Sequence, residues 1–107
     1  SPWRPRLPAT PGGMGGVGTA ADYLRFLEAL RLGRGVLSPT LARFMVQDHL
    51  GSLYLEALKR GPEYLRPGYG FGLGVAVRVE PMGYSPGSVG EWTWAGFGGT
   101  FFFVDPA

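Results

Sequence analysis

Two runs of β-prone residues near the end of the chain constrain its fold more than any other feature. Residues 89–95 and 100–104 flank a glycine-bearing turn with the sequence Gly96-Phe97-Gly98-Gly99. This arrangement predicts an antiparallel hairpin. The second run is apolar at nearly every position, which is typical of a strand covered on both faces in the middle of a sheet. Such a strand needs two neighbours, and because the sequence ends at Ala107, we expect the chain to be part of a larger protein.

Helix signals come before strand signals along the chain. Thr19 is followed three residues later by Asp22, which predicts a capped helix start, and Ser38-Pro39 predicts a second one. Between residues 69 and 79, large apolar residues alternate with smaller ones, which predicts one strand. We therefore expect an α+β fold in which about three helices precede a three-stranded antiparallel meander, with a loop over 1–18, helices within 19–60 and strands within 69–104.

Glycines mark one face of the predicted strand at 69–79. Gly70, Gly72 and Gly74 leave that face nearly bare. A row of glycines in a strand indicates that another part of the structure approaches it closely. A helix packed tightly on the sheet is the more common cause, and a substrate lying against the strand is the second interpretation.

Composition excludes several classes of function. An apolar content of 45% is typical of a globular domain. The net charge of +2 arises from scattered basic residues, so a nucleic-acid partner is not expected. The absence of cysteine excludes disulfides and thiolate metal sites. No apolar run reaches the roughly 18 residues of a spanning helix, so no membrane span is expected.

One glycine-rich motif matches the dinucleotide-binding pattern G-x-G-x-x-G. It reads Gly13-Met-Gly15-Gly-Val-Gly18 and precedes the first predicted helix. The functional motif also follows a strand, whereas here a proline-rich stretch takes that place. We therefore predict no nucleotide and no other cofactor.

Candidate catalytic side chains are few. His49 is the only histidine and falls at a predicted helix end, so we expect neither a metal site nor a histidine-centred triad. Asp22 is explained by the helix start, and Glu91 by a solvated strand position. Trp92 and Trp94 share one face of their strand, where core packing and a functional role are equally good explanations. No serine is followed by lysine three residues later, so the S-x-x-K motif is absent and the chain offers no activated nucleophile of that type.

Four motifs in order resemble the C-terminal portion of the serine β-lactamase-like family. That family includes class C β-lactamases, penicillin-binding-protein-type peptidases and related esterases, and the similarity is greatest to the esterase branch. It covers nearly the whole chain from about Gly12. The motifs are Gly15-Gly-Val-Gly-Thr-Ala-Ala-Asp-Tyr-Leu-Arg-Phe26, Leu37-Ser-Pro-Thr-Leu-Ala-Arg-Phe-Met45, Gly68-Tyr-Gly-Phe-Gly-Leu-Gly-Val75, and Trp94-Ala-Gly-Phe-Gly-Gly-Thr100 followed by Val104-Asp-Pro106.

The resemblance implies that residues 1–107 are the C-terminal portion of a single domain with a β-lactamase-like transpeptidase fold. It also implies a serine hydrolase that acts on ester or amide acyl groups through an acyl-enzyme. The S-x-x-K serine would lie in a missing N-terminal part, so this chain would be inactive alone. Its expected partners are that missing part or a second copy, and a small acyl substrate. The alternative is a non-catalytic β-lactamase-like domain that binds a peptide, a cell-wall fragment or a partner protein.

The resemblance assigns the site to the turn between the last two predicted strands. Trp94, Ala95 and Gly96 occupy the position of the family's third motif, K-T-G or W-G-G, and are expected to contact substrate. Ala95 departs from the glycine or threonine usual there. The backbone N–H of Phe97 is expected to form part of the oxyanion hole, and Met14 is expected to line the cleft.

Overall fold

The computed structural model describes residues 16–61, 65–83, 85–96 and 98–107. This part of the chain forms three helices followed by four strands, so the predicted α+β class is confirmed. No helix within it is long and apolar enough to cross a membrane. The elements are α1 (Ala20–Leu32), α2 (Pro39–Met45), α3 (Ser52–Lys59), β1 (Tyr69–Phe71), β2 (Ala76–Arg78), β3 (Trp92–Ala95) and β4 (Phe101–Val104).

The first helix begins and ends at residues that the sequence marks. The Thr19 hydroxyl accepts a hydrogen bond from the Asp22 N–H at 3.1 Å, which satisfies one of the free donors of the first turn. Gly33 follows the helix with φ +68°, a left-handed conformation that glycine adopts without a steric penalty. A side chain at Gly33 would also press on Pro39. Both boundaries of α1 are therefore determined locally.

The second helix is shorter than its sequence signals predict. The Ser38 hydroxyl accepts from the Leu41 N–H at 3.2 Å, which confirms the predicted start. The helix ends at Met45 rather than near Asp48. The Met45 carbonyl accepts from the Leu73 N–H at 2.9 Å, and the His49 N–H donates to the Phe71 carbonyl at 2.9 Å. Because these bonds join the backbone after Met45 to the sheet, they replace the hydrogen bonds of another helical turn.

The single strand predicted over 69–79 is wrong, because the structure folds this segment into a hairpin. The Gly72 N–H donates to the Val75 carbonyl at 2.8 Å, and Gly74 has φ +91°. Tyr69 lies opposite Arg78 and Phe71 lies opposite Ala76. The alternation of large and small residues continues through the turn without interruption. The sequence pattern therefore gave no sign of the turn. The sheet therefore has four strands instead of three.

All neighbouring strands are antiparallel, in the order β1-β2-β3-β4. Residues directly opposite each other share a face of the sheet. Val77, Trp92 and Val104 thus lie on one face, and α1 packs there through Leu27 and Leu30. The buried core consists of Leu27, Leu30, Val75, Val77 and Trp92, with Leu37, Met45, Val46, Phe102 and Val104 around it.

The glycines of β1 are approached by the connection between α2 and α3. A Cβ at Gly70 would overlap the carboxyl group of Asp48, and a Cβ at Gly72 would overlap the carbonyl of Met45 and lie 2.9 Å from that of Gln47. The close approach that the glycine row predicts is present. It is made by the last residue of α2 and the connection that follows it, and not by a helix packed along the strand.

β4 lies at the edge of the sheet. Phe102 and Val104 pack against the core, whereas Phe101 and Phe103 are 74% and 63% exposed. Only β3 pairs with β4 in the part of the chain that the structure describes. One face of β4 is therefore covered, where its composition predicted that both would be.

Candidate functional site

The last residues of β3 lead into a turn that requires glycine. The Gly96 N–H donates to the Thr100 carbonyl at 2.7 Å, and the Gly99 N–H donates to the Gly96 carbonyl at 3.1 Å. A Cβ at Gly96 would overlap the Thr100 hydroxyl, and Gly99 has φ +88°. These bonds close the β3–β4 hairpin and hold the backbone of residues 94–96 in one position.

A groove of about 870 Å³ separates this hairpin from the start of α1. One side of the groove is formed by the predicted substrate-contacting residues, and the other by the loop before α1 and its first turns. The first side includes Trp94, Ala95 and Gly96, and the second includes Val17, Gly18, Tyr23 and Leu24. The structure thus places these three consecutive residues across the groove from the loop before α1.

The backbone of Ala95 is directed toward the opposite edge of β3. The Arg78 N–H donates to the Glu91 carbonyl on the β2 side of β3, and the Gly96 N–H donates to the Thr100 carbonyl on the β4 side. Because backbone groups alternate in direction along a strand, the N–H and C=O of Ala95 point to the β2 side. β2 begins at Ala76, opposite Thr93, so β2 does not extend beside Ala95.

A smaller cavity of about 180 Å³ lies along this edge of β3. It is lined by Tyr54, Arg66, Tyr69, Ala76, Thr93, Trp94 and Ala95. The Tyr54 hydroxyl donates to the Arg66 carbonyl at 3.2 Å and accepts from the Arg66 N–H at 3.1 Å, so the wall of the cavity is held by hydrogen bonds. The cavity leaves space beside the outward-facing backbone of Ala95.

Trp94 lines both the groove and the smaller cavity. Its ring meets Phe71 edge-on, with ring centroids 5.2 Å apart and planes at 81°. Trp92, two residues earlier on the same face, is buried in the core. The two tryptophans that the sequence could not separate therefore differ in role, because Trp92 is core and Trp94 reaches the candidate site.

The remaining predicted site residues, Met14 and Phe97, lie outside the residues that the structure describes. Of the serines in the described ranges, none lines the groove. Nor do any three histidine, cysteine, aspartate or glutamate residues in those ranges come close enough together to hold a metal ion. The described part of the site can therefore contact a ligand, but it presents no serine nucleophile.

The other candidate side chains have structural partners. His49 Nε2 lies 2.6 Å from the Phe44 carbonyl, and the two rings are 4.4 Å apart. Asp22 accepts from Arg25 at 3.3 Å on the surface of α1. Glu91 accepts from the Tyr69 hydroxyl at 3.4 Å and does not line the groove. Each of these side chains stabilises the fold locally.

Sequence reasoning missed the structural importance of Asp48. Its Oδ1 accepts from the N–H groups of Leu50, Gly51 and Phe71 at 3.1, 3.2 and 3.1 Å. Packing of the carboxyl against β1 raises the pKa of Asp48 by desolvation. The three N–H donors, helped by the nearby His49, outweigh that effect and hold the pKa below its ordinary value of 3.8. Since the Phe71 bond spans 23 residues, no local pattern revealed it.

Arg78 is the second residue whose role the sequence did not reveal. It is 2% exposed, and within the described residues its guanidinium donates to four backbone carbonyls. Nη1 contacts the carbonyl of Pro86 at 2.8 Å, and Nη2 contacts those of Met82 and Ser85 at 3.3 and 3.1 Å. Nε adds a bond to the Glu80 carbonyl at 3.3 Å. One sequence feature could have indicated this role: Arg78 is the only charged residue in the alternation of large apolar and small residues over 69–79.

A protein-family model described as Beta-lactamase matches residues 1–107. The chain belongs to the beta-lactamase family. The resemblance stated from its motifs is thereby confirmed, and the three helices and antiparallel sheet are consistent with a fold of this family.

The curated relatives that this chain matches are longer than the chain itself. Esterase EstB from Burkholderia gladioli is 39% identical over 97 residues, which cover 90% of the chain and 23% of the esterase. Protein Rv1367c from Mycobacterium tuberculosis is 37% identical over 102 residues, which cover 83% of the chain and 24% of that protein. The chain thus spans about a quarter of the length of the curated relatives it matches.

Proposed function

We propose that the chain forms one wall of the active site of a serine hydrolase that acts on ester or amide acyl groups through an acyl-enzyme. The nucleophilic serine of the S-x-x-K motif and its proton-transfer partners belong to a part of the protein outside residues 1–107. The chain by itself therefore does not hydrolyse acyl substrates. Its similarity to an esterase over 90% of its length supports this assignment.

The outward-facing backbone of Ala95 is the observation that carries the proposal. Its N–H and C=O point away from β4, and β2 does not extend beside them. An extended substrate can add to such an edge through main-chain hydrogen bonds, as an additional strand does. Gly96 fixes the end of this edge, because its N–H donates to Thr100 and a Cβ there would overlap the Thr100 hydroxyl.

The neighbouring groups complete the proposed wall. The Gly96 N–H already donates to Thr100, so the next N–H along the chain, that of Phe97, is the proposed oxyanion donor. Met14 is proposed as a lining residue on the side of the loop before α1. Trp94 contributes an apolar ring to the space beside the motif.

The full-length protein tests the catalytic proposal directly. We expect an S-x-x-K motif in the part of the protein outside this chain and turnover of a nitrophenyl ester that is lost when that serine is changed to alanine. Residues 1–107 alone should hydrolyse the ester no faster than buffer. A full-length protein without the motif or without turnover would support the non-catalytic alternative, a domain that binds a peptide, a cell-wall fragment or a partner protein.

A proline substitution tests the role of the β3 edge. Ala95→Pro removes one N–H that the sheet does not use, and we expect kcat/KM to fall about tenfold, the value of one hydrogen bond. Ala95→Gly is the matched control, because it changes the same side chain but keeps the backbone N–H. Equal losses of activity in the two variants would contradict the assignment of the Ala95 edge to substrate.

A further inference from the structure

Trp94 is a site residue whose ring must be held in place by other side chains. It lines both the groove of about 870 Å³ and the cavity of about 180 Å³ that lies along the open edge of β3. The residue is 36% exposed, so there is space into which its ring could turn. Because Trp94 and Ala95 line the same cavity, the orientation of the ring determines how much of the Ala95 edge a ligand can reach.

Phe71 on β1 supplies a contact that orients this ring. The two rings meet edge-on, with centroids 5.2 Å apart and planes at 81°, which is a favoured geometry for aromatic pairs. β2 lies between β1 and β3 in the sheet, and of its three residues Ala76 alone lines the cavity. Phe71 itself lines neither the cavity nor the groove. Its effect on a ligand at the β3 edge is therefore exerted through Trp94.

The backbone of Phe71 is fixed through both its N–H and its carbonyl group. The N–H donates to Asp48 Oδ1 at 3.1 Å, and the carbonyl accepts from the His49 N–H at 2.9 Å. Two positions later, the Leu73 N–H donates to the Met45 carbonyl at 2.9 Å. This part of the chain therefore cannot move relative to the connection between α2 and α3 without breaking three hydrogen bonds.

The glycines on either side of Phe71 bring the connection directly against the backbone of β1. A Cβ at Gly70 would overlap the Asp48 carboxyl group, and a Cβ at Gly72 would overlap the Met45 carbonyl. The segment around Phe71 is thus both hydrogen-bonded to the connection and packed closely against it. The Phe71 ring therefore meets Trp94 from a fixed backbone position.

We propose that Phe71 is a positioning residue of the active site, which fixes the Trp94 ring in one orientation and so keeps the Ala95 edge open to substrate. This inference rests on the proposed function and adds a residue to the same site. Without the Phe71 ring, the Trp94 ring turns into the cavity and competes with substrate for the edge. The loss appears mainly in substrate binding, since the proposed reacting groups belong to the rest of the protein.

Kinetics of the full-length protein test this proposal. Phe71→Leu should raise KM for a nitrophenyl ester about threefold to tenfold, the range that the loss of one aromatic pair supports, with kcat changed by less than about twofold. A purely structural role predicts another result, because partial unfolding reduces the amount of active protein and so lowers kcat without changing KM. Phe71→Tyr keeps the ring and should retain the KM of the parent protein within about twofold.

A double-mutant cycle tests whether Phe71 acts through Trp94. In a Trp94→Ala background, Phe71→Leu should have no further effect on KM, because the ring that Phe71 holds is gone. Phe44→Leu is the matched control, since it removes a different ring contact, that with His49 at 4.4 Å, and Phe44 lines neither cavity nor groove. The inference is wrong if Phe71→Leu raises KM equally in both backgrounds, or if Phe44→Leu raises KM as much as Phe71→Leu does.

A spectroscopic measurement separates this inference from the function on which it rests. Full-length protein labelled with fluorotryptophan gives a fluorine NMR resonance for Trp94, which is assigned by its loss in Trp94→Phe. Phe71→Leu should shift and broaden that resonance, whereas Phe44→Leu should not, and Phe71→Met replaces the leucine variant if that variant does not fold. A protein that hydrolyses no ester would contradict the proposed function. An unchanged Trp94 resonance in Phe71→Leu would overturn the role of Phe71 even in an active enzyme.

Discussion

The β1–β2 end of the sheet is held by polar side chains that bind backbone groups, whereas the β3–β4 end presents apolar side chains to the surface. At the first end, Arg78 donates to four carbonyls and Asp48 accepts from three N–H groups. At the second end, Phe101 and Phe103 are mostly exposed, and Trp94 is partly so. The two ends belong to one antiparallel sheet and share one core.

This difference between the two ends indicates that one end mainly stabilises the fold and the other mainly binds other molecules. Arg78 is buried, so any other arrangement of the backbone around it would leave its guanidinium donors unsatisfied. Asp48 is exposed, and its three hydrogen bonds hold the backbone of the connection between α2 and α3 against β1. Exposed apolar groups cost free energy in water, and this cost disappears when a ligand or another protein surface covers them. We therefore expect substitutions at the β1–β2 end to change mainly stability, and those at the β3–β4 end to change mainly binding.

The largest expected effect is at Arg78. Arg78→Met keeps much of the side-chain volume but removes the guanidinium that donates to the carbonyls of Glu80, Met82, Ser85 and Pro86. We expect a loss of about 3 kcal/mol in the free energy of unfolding, since hydrogen bonds to charged groups are among the stronger ones. This corresponds to a fall of about 12 °C or more in Tm, measured by circular dichroism.

Arg78→Lys is the matched control for that experiment. Lysine keeps the charge but lacks the planar fork that reaches several carbonyls at once. We expect it to recover less than half of the lost stability. If both variants unfold at the temperature of the parent protein, the guanidinium does not hold this end of the sheet.

A smaller effect is expected at Asp48. Asp48→Ala removes the acceptor of three backbone N–H groups, and we expect a loss of about 1 kcal/mol, comparable to that of a helix cap. Asp48→Asn keeps an oxygen acceptor without the charge and should lose less. Urea unfolding at neutral pH measures both values.

The lowered pKa of Asp48 predicts that the stability of the protein depends on pH. The pKa of Asp48 is lower in the folded state than its ordinary value of 3.8. Its contribution is therefore complete above that value and is lost as the pH falls through the lower, folded pKa. Asp48→Asn should flatten this acidic part of the stability profile, and a variant with the same slope as the parent protein would contradict the linkage.

Local features of the fold could be predicted from the sequence. The start of α1 at Thr19 and its end at Gly33 depend on residues within one turn of each boundary. The turn at residues 72–75 could not be predicted, because the alternation continues through it and glycine is compatible with either conformation. The pattern therefore identified β-structure correctly without showing where the chain reverses.

The assignment of residues 94–96 to the candidate site comes from the resemblance, which carries over position by position, and their contact with substrate stays a prediction. The outward-facing backbone of Ala95 depends on where β2 begins, which is a property of strand register and not of any single residue. The partners of Asp48 and Arg78 are backbone groups up to 23 residues away, and side-chain identity alone does not specify them.

The smallest effect on stability is expected at the edge strand. Phe101→Thr and Phe103→Thr keep a β-prone residue while removing an exposed aromatic ring. We expect the free energy of unfolding to change by no more than about 0.5 kcal/mol, as for other surface substitutions. We propose that this edge instead pairs with another part of the protein or with a second copy, because no strand in the described ranges pairs with its outer side and its apolar side chains are exposed there.

Light scattering coupled to size-exclusion chromatography tests this part of the comparison on residues 1–107. The parent chain should form dimers or larger species through β4, and the double variant Phe101→Thr/Phe103→Thr should shift the population toward monomer. Leu53→Thr and Leu55→Thr, at exposed positions on α3, are the control for a general loss of surface hydrophobicity. Since both pairs remove exposed apolar groups, only an interaction located at β4 makes the first pair more effective. A parent chain that is monomeric at every concentration would contradict self-association through β4. The rest of the protein would then be the proposed partner of this edge.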